Sequence, residues 1–130
     1  MHRPIIEQQL VFLHTKDLSS TARFYEETLG LRLVLDQGDC RIYETAPGAY
    51  IGFCQRPCTS ETSQGIILTL VSSEVDRWYQ HLVGLGVSFE KAPEPNPKYN
   101  VYHCFLRDPN RYLIEIQQFL DPDWSQQEPT

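Results

Sequence analysis

The sequence predicts an α+β fold built from two tandem βαβββ modules. Three observations carry this reading: an internal repeat, the same order of helix and strand patterns in each copy, and a length of 130 residues. That length suits one domain able to bury a core without staples. In the repeat, Arg23-Phe24-Tyr25 with Leu29-Gly30-Leu31 is answered by Arg77-Trp78-Tyr79 with Leu85-Gly86-Val87. The offset is 54 residues at the aromatic pair and 56 at the glycine. Such a period is too long for a solenoid and fits two duplicated supersecondary units.

Leu10–His14 is a short apolar run with β-branched and aromatic content, hence the first strand. Asp17 opens a helix, with Ser19 and Ser20 as competing caps. Leu18, Ala22, Tyr25 and Leu29 recur at helical spacing, and Gly30 closes the helix. Leu31–Leu35, Arg41–Glu44 and Tyr50–Cys54 follow as strands, separated by turn signals at Gln37-Gly38-Asp39 and Ala46-Pro47-Gly48. Module one therefore covers about residues 7–56, and a polar linker about 57–64. Module two covers about residues 65–119. It opens with strand Ile66–Val71, then a helix capped by Ser73 with Asp76 as box partner. Val75, Trp78, Tyr79, Leu82 and Leu85 form the helix's apolar stripe, ended by Gly86. The strands Val87–Lys91, Val101–Leu106 and Tyr112–Phe119 complete the module, with a loop at Pro93–Pro97 and a turn at Asp108–Arg111. Residues 120–130 form a tail that either frays or lies across a partner subunit.

Composition narrows the function classes. A net charge of −6 with eleven scattered basic residues argues against nucleic acid. No stretch reaches the roughly 18–20 apolar residues of a membrane span, and the N-terminal residues lack a signal-peptide core. No membrane partner and a cytoplasmic location are expected. Four cysteines, Cys40, Cys54, Cys58 and Cys104, are then expected as free thiols rather than a disulfide framework. Cys54 and Cys58 also have the wrong spacing for a zinc pair, and no second pair follows. No nucleophile elbow, P-loop or dinucleotide fingerprint is present.

Two motifs point to a family. Asp17-Leu-Ser-Ser-Thr-Ala-Arg-Phe-Tyr-Glu-Glu-Thr-Leu-Gly-Leu31 resembles the first-module signature of the glyoxalase/bleomycin resistance protein/extradiol dioxygenase (vicinal oxygen chelate) superfamily. Arg107-Asp108-Pro109-Asn110-Arg111-Tyr112-Leu113-Ile114-Glu115-Ile116 resembles its second-module ending. The resemblance spans about residues 7–119. It implies curved mixed sheets enclosing a cleft, and a homodimer. Many relatives carry glycine where Arg111 stands, which implies a looser turn here.

The resemblance also implies where a metal would be held. The corresponding positions are Leu10, Gly52 or its neighbour, Ile67 and Glu115, and only Glu115 is a ligand type. One carboxylate does not hold a divalent ion tightly, since catalytic sites supply about three protein ligands. No cofactor is therefore expected. A divalent metal would need unconventional ligands, namely His14 and His103 with Glu115.

Alternation along the strands, with the penultimate strand placed by resemblance, gives the pocket. Phe12, His14, Tyr50, Thr69, His103, Phe105, Arg107, Glu115 and Gln117 line it. An aromatic body with a few polar tips suits a small organic ligand bearing an anionic or hydrogen-bonding group. Glu115 is the candidate catalytic residue, with His103 an oriented partner and His14 or His103 a general base. Cys104 is not paired with His103 by adjacency, because strand neighbours point to opposite faces. The leading expectation is a metal-free small-molecule binder. The alternative is a metal-dependent lyase, isomerase or dioxygenase using Glu115. A purely structural module has no sequence feature in its favour.

Overall fold

A computed structural model of the chain describes residues 3–57 and 64–124. The chain divides into two compact units, Met1–Gln64 with Asp108–Arg111, and Gly65–Arg107 with Tyr112–Thr130. Cys58 and most of the expected linker lie outside the described residues, as does the tail beyond Trp124.

The first unit runs β1 (Gln9–Thr15), α1 (Leu18–Arg23), β2 (Arg32–Asp36), β3 (Cys40–Ala46) and β4 (Ala49–Gln55). Its sheet has the order β1-β4-β3-β2, with β1 parallel to β4 and the other pairs antiparallel. Asp17 caps α1, its Oδ1 accepting from the Ser20 amide at 3.3 Å, while the Ser20 hydroxyl donates to the Asp17 carbonyl. The helical path does not stay α-helical to Gly30 but widens into a π-helical turn over Phe24–Thr28. The apolar stripe of Leu18, Ala22, Tyr25 and Leu29 is buried. Tyr25 meets Phe53 at 4.5 Å and stacks toward Tyr43 at 6.1 Å. Burying each of these rings stabilises the unit by roughly 1.5–3 kcal/mol.

The turn Asp108–Arg111 belongs to this first unit. The Asp108 carboxylate accepts from the Tyr25 hydroxyl at 2.8 Å and from the Asn110 amide at 2.8 Å. Asn110 also reaches Thr21 and Thr15, which are themselves hydrogen-bonded at 2.8 Å. Arg111 does not loosen the turn. It adopts φ +71 and its amide closes on the Asp108 carbonyl at 3.0 Å, the conformation glycine takes without strain.

The second unit runs β5 (Ile67–Val71), α2 (Val75–Gly84), β6 (Phe89–Asn96), β7 (Val101–Arg107) and β8 (Leu113–Phe119). Its sheet repeats the same plan in the order β5-β8-β7-β6, with β5 parallel to β8. Helix α2 buries Val75 and Leu82 and packs on the sheet whose alternate residues Cys104, Leu106, Ile114 and Ile116 are buried. Ser73 and Asp76 do not form the expected capping box. Ser72 instead accepts from the Glu74 amide at 3.0 Å, and Asp76 accepts from the Tyr102 hydroxyl at 2.5 Å. The expected loop Pro93–Pro97 is mostly strand, because β6 is an edge strand where missing amide donors are tolerated. The first tail residues fold back, and Trp124 stacks on Phe119 at 3.7 Å.

The expectation of unpaired cysteines fails for two of the four. Cys40 and Cys54 form a disulfide, while Cys104 is a buried free thiol. The reason is register: β3 and β4 are antiparallel and set Cys40 directly opposite Cys54, with Cα atoms 4.0 Å apart.

Candidate functional site

Directly opposed residues in a sheet share a face, so the ladders decide which candidates come together. In the first unit, Leu10 is opposite Tyr50, Phe12 opposite Gly52, and His14 opposite Cys54. Phe12, His14 and Tyr50 therefore share one face, with the Cys40–Cys54 bridge in the row of His14. The Phe12 ring lies over Gly52 so closely that a Cβ there would meet it at 2.6 Å. Glycine at this position is thus a seat for an aromatic ring. Phe12 remains 50% exposed, His14 is exposed, and Tyr50 accepts from the Gln8 side chain at 3.2 Å.

In the second unit, one row holds Thr69, Glu115 and Phe105, the next holds Gln117 and His103, and Arg107 stands opposite Leu113. Two hydrogen bonds organise this face. Thr69 Oγ1 donates to Glu115 Oε1 at 2.9 Å, and His103 Nδ1 lies 2.6 Å from Glu115 Oε2. The His103 side chain is 7% exposed and that of Glu115 12%. His103 Nε2 is buried with no hydrogen-bond partner among the described residues. The Phe105 ring meets His103 edge-on at 4.8 Å. Arg107 is engaged by Glu90 through two bonds, at 3.0 and 3.2 Å.

Cys104, one residue from His103, points to the helix side and is fully buried. Burial pushes its thiol pKa from 9.0 up to about 11. Burial and the Glu26 carboxylate beside it raise Tyr43 well above the usual phenol range. The feature that sequence reasoning missed is the cysteine bridge beside His14. Its signal was the turn at Ala46-Pro47-Gly48, which places residues 40 and 54 at equal distances from Pro47.

Two βαβββ units with the same order of strands define a glyoxalase-like fold. The chain belongs to the Glyoxalase/Bleomycin resistance protein/Dioxygenase superfamily, whose sequence model matches residues 8–116. A solved glyoxalase/bleomycin resistance protein/dioxygenase from Nocardioides superposes with a TM-score of 0.75 at 22% identity, covering 99% of this chain and 92% of the other. A lactoylglutathione lyase from Agrobacterium tumefaciens gives a TM-score of 0.70 at 19% identity, covering 89% of this chain and 96% of the other. The uncharacterized protein YraH of Bacillus subtilis (strain 168) is 24% identical over 121 residues, covering 83% of this chain and 94% of YraH.

The residues at the positions that the resemblance assigns to a metal do not fit one. Leu10 and Ile67 carry no donor, and Gly52 seats a ring. Both Glu115 oxygens are already engaged by hydrogen bonds within the sheet. Among the described residues, no three or more His, Cys, Asp or Glu side chains gather as a metal site would require. No helix among the described residues is long and apolar enough to cross a membrane.

Proposed function

We propose that the chain is a small-molecule-binding member of its superfamily that works without the usual metal set. The observation that carries this reading is the employment of Glu115. The carboxylate at the family's ligand position orients His103 and is itself oriented by Thr69, instead of converging with other metal donors. Phe12, His14 and Tyr50 on one sheet, and Thr69, His103, Phe105, Arg107 and Gln117 on the other, are the binding residues of this reading. They provide aromatic surface with few polar groups, as organic ligands require.

The test is elemental mass spectrometry of untagged protein purified without chelator, followed by a thermal-shift ligand screen. The expected result is far less than one metal per chain, with ligand-dependent stabilisation that EDTA leaves unchanged. Near-stoichiometric zinc, nickel, iron or manganese would overturn the reading in favour of a metal-dependent lyase, isomerase or dioxygenase using Glu115. The same proposal includes a homodimer, as the resemblance implies, and no nucleic-acid partner, as the net charge of −6 supports. It also includes a cytoplasmic location.

A further inference from the structure

We propose that the Cys40–Cys54 bridge is a reversible redox switch set into the first sheet: a dithiol opens it at Cys40, and opening it displaces the Phe12 ring from its seat on Gly52. This deepens the small-molecule reading above by naming what regulates that face, and it rests on that reading only for the binding role of the face.

The placement follows from two adjacent rows of the ladder. His14, Cys54 and Cys40 are directly opposed across β1, β4 and β3, and Phe12, Gly52 and Ile42 form the next row on the same face. Each cysteine therefore stands beside a member of the Phe12 seat. That row has no slack. Ile42 is buried, and a Cβ on Gly52 would meet the Phe12 ring at 2.6 Å and Ile42 Cγ1 at 3.4 Å. Two bonded sulfurs lie closer than unbonded atoms can approach, so when the bond breaks one thiol turns away from the other. The exposed side chains of the two rows are Phe12 and His14, and they take up the displacement.

The strands stay joined without the bridge. On one side of it Arg41 faces Phe53 and Ile42 faces Gly52; on the other, the Gln55 amide donates to the Asp39 carbonyl at 2.8 Å. Reduction thus opens the bond inside an intact ladder, and the protein has two folded states.

Cys40 is the sulfur that a reductant reaches. The last rung between β2 and β3 pairs Asp36 with Arg41, so Cys40 lies beyond it, beside the exposed turn 37–39. Cys54 is flanked by both β1 and β3. Cys40 and Cys54 keep 9% and 7% exposure, whereas Tyr43 and Phe53 on the opposite face keep none. A thiolate of the dithiol bonds to Cys40 Sγ as the bridge breaks, and the departing Cys54 thiolate takes up the proton that the attacking thiol lost. The second thiol of the reductant then displaces Cys40, which takes up the second proton. Two electrons and two protons have passed to the protein, and the dithiol has become a disulfide. A small disulfide oxidant runs the same steps backward. In the proposed cytoplasmic location, bridges are characteristically transient or redox-sensing.

The test treats the full chain, without denaturant, with dithiothreitol and then with oxidised glutathione. Thiols are counted by maleimide labelling after an acid quench, and ring signals are followed by NMR. Of the four cysteines, two should label before reduction and four after it, the added labels mapping to Cys40 and Cys54. The Phe12 and His14 ring signals should shift with the labelling and return on reoxidation, while those of Thr69 and Phe105 in the second unit hold their positions. Cys40→Ala with Cys54→Ala should abolish the response, and the unmutated protein carries the test if that variant does not fold. Added labels that appear only when urea unfolds the chain make the bridge structural and overturn the switch. Reduction that leaves Phe12 and His14 unmoved, or that shifts the second unit equally, also overturns it. Neither measurement uses a ligand, so each of these results leaves the small-molecule reading standing. Failure of the ligand screen would remove the binding role of the face without touching the switch.

Discussion

Arg111 sits in the left-handed region at φ +71, where a side chain costs about 1–2 kcal/mol relative to glycine. Part of that gain is offset by the greater freedom glycine has in the unfolded chain. Arg111→Gly is therefore expected to raise stability by about 0.5 kcal/mol, read from the urea midpoint at unchanged slope. Cys104 makes a pH-dependent contribution. Its folded pKa is raised from 9.0 to about 11, so the folded state holds the proton that the unfolded state releases. Stability is then undiminished below pH 9 and falls between pH 9 and 11, by on the order of 2 kcal/mol. Urea titrations of the protein and of Cys104→Ala across that range should diverge, the variant lacking this loss. Alternation made the face of Glu115 legible in the sequence, because period two is a local property of a strand. The 2.6 Å contact to His103 was less so, since it depends on two strands aligning across the turn at Asp108–Arg111. The role of Gly52 was not legible: a ring seated on a missing side chain leaves no pattern within its own strand.

Between β3 and β4 the disulfide closes a hairpin with 14 residues of separation. A loop of that size stabilises the folded state by about 3 kcal/mol through the unfolded ensemble. Adding dithiothreitol should lower the urea-derived stability by that amount, and Cys40→Ala with Cys54→Ala should reproduce the loss and abolish the response to reductant. Element boundaries followed the sequence wherever punctuation was backbone-imposed, as at Gly30 and Gly86, both at positive φ. They departed from it where tertiary context won. The prolines of β6 read as a loop locally, yet the strand lies at a sheet edge that asks little of their amides. Ser73 and Asp76 had the spacing of a cap, but Tyr102 engaged Asp76 and Ser72 took the amide. The π-helical turn after α1 has no counterpart in α2, although the aromatic pairs of the two copies align.

At the scale of the molecule, the duplication visible in Arg23-Phe24-Tyr25 and Arg77-Trp78-Tyr79 reappears as two sheets with the same strand plan. Yet the compact units do not coincide with the two halves of the sequence, because Asp108–Arg111 completes the first. A ribosome delivers residues 1–64 well before it reaches Asp108. Through that interval the nascent first unit lacks the carboxylate to which the Tyr25 hydroxyl donates and the amide side chain that joins Thr15 and Thr21. Its packing can begin early, but its polar network waits for the last quarter of the chain. The order of synthesis therefore makes the two ancestral copies mature together, although one is made first.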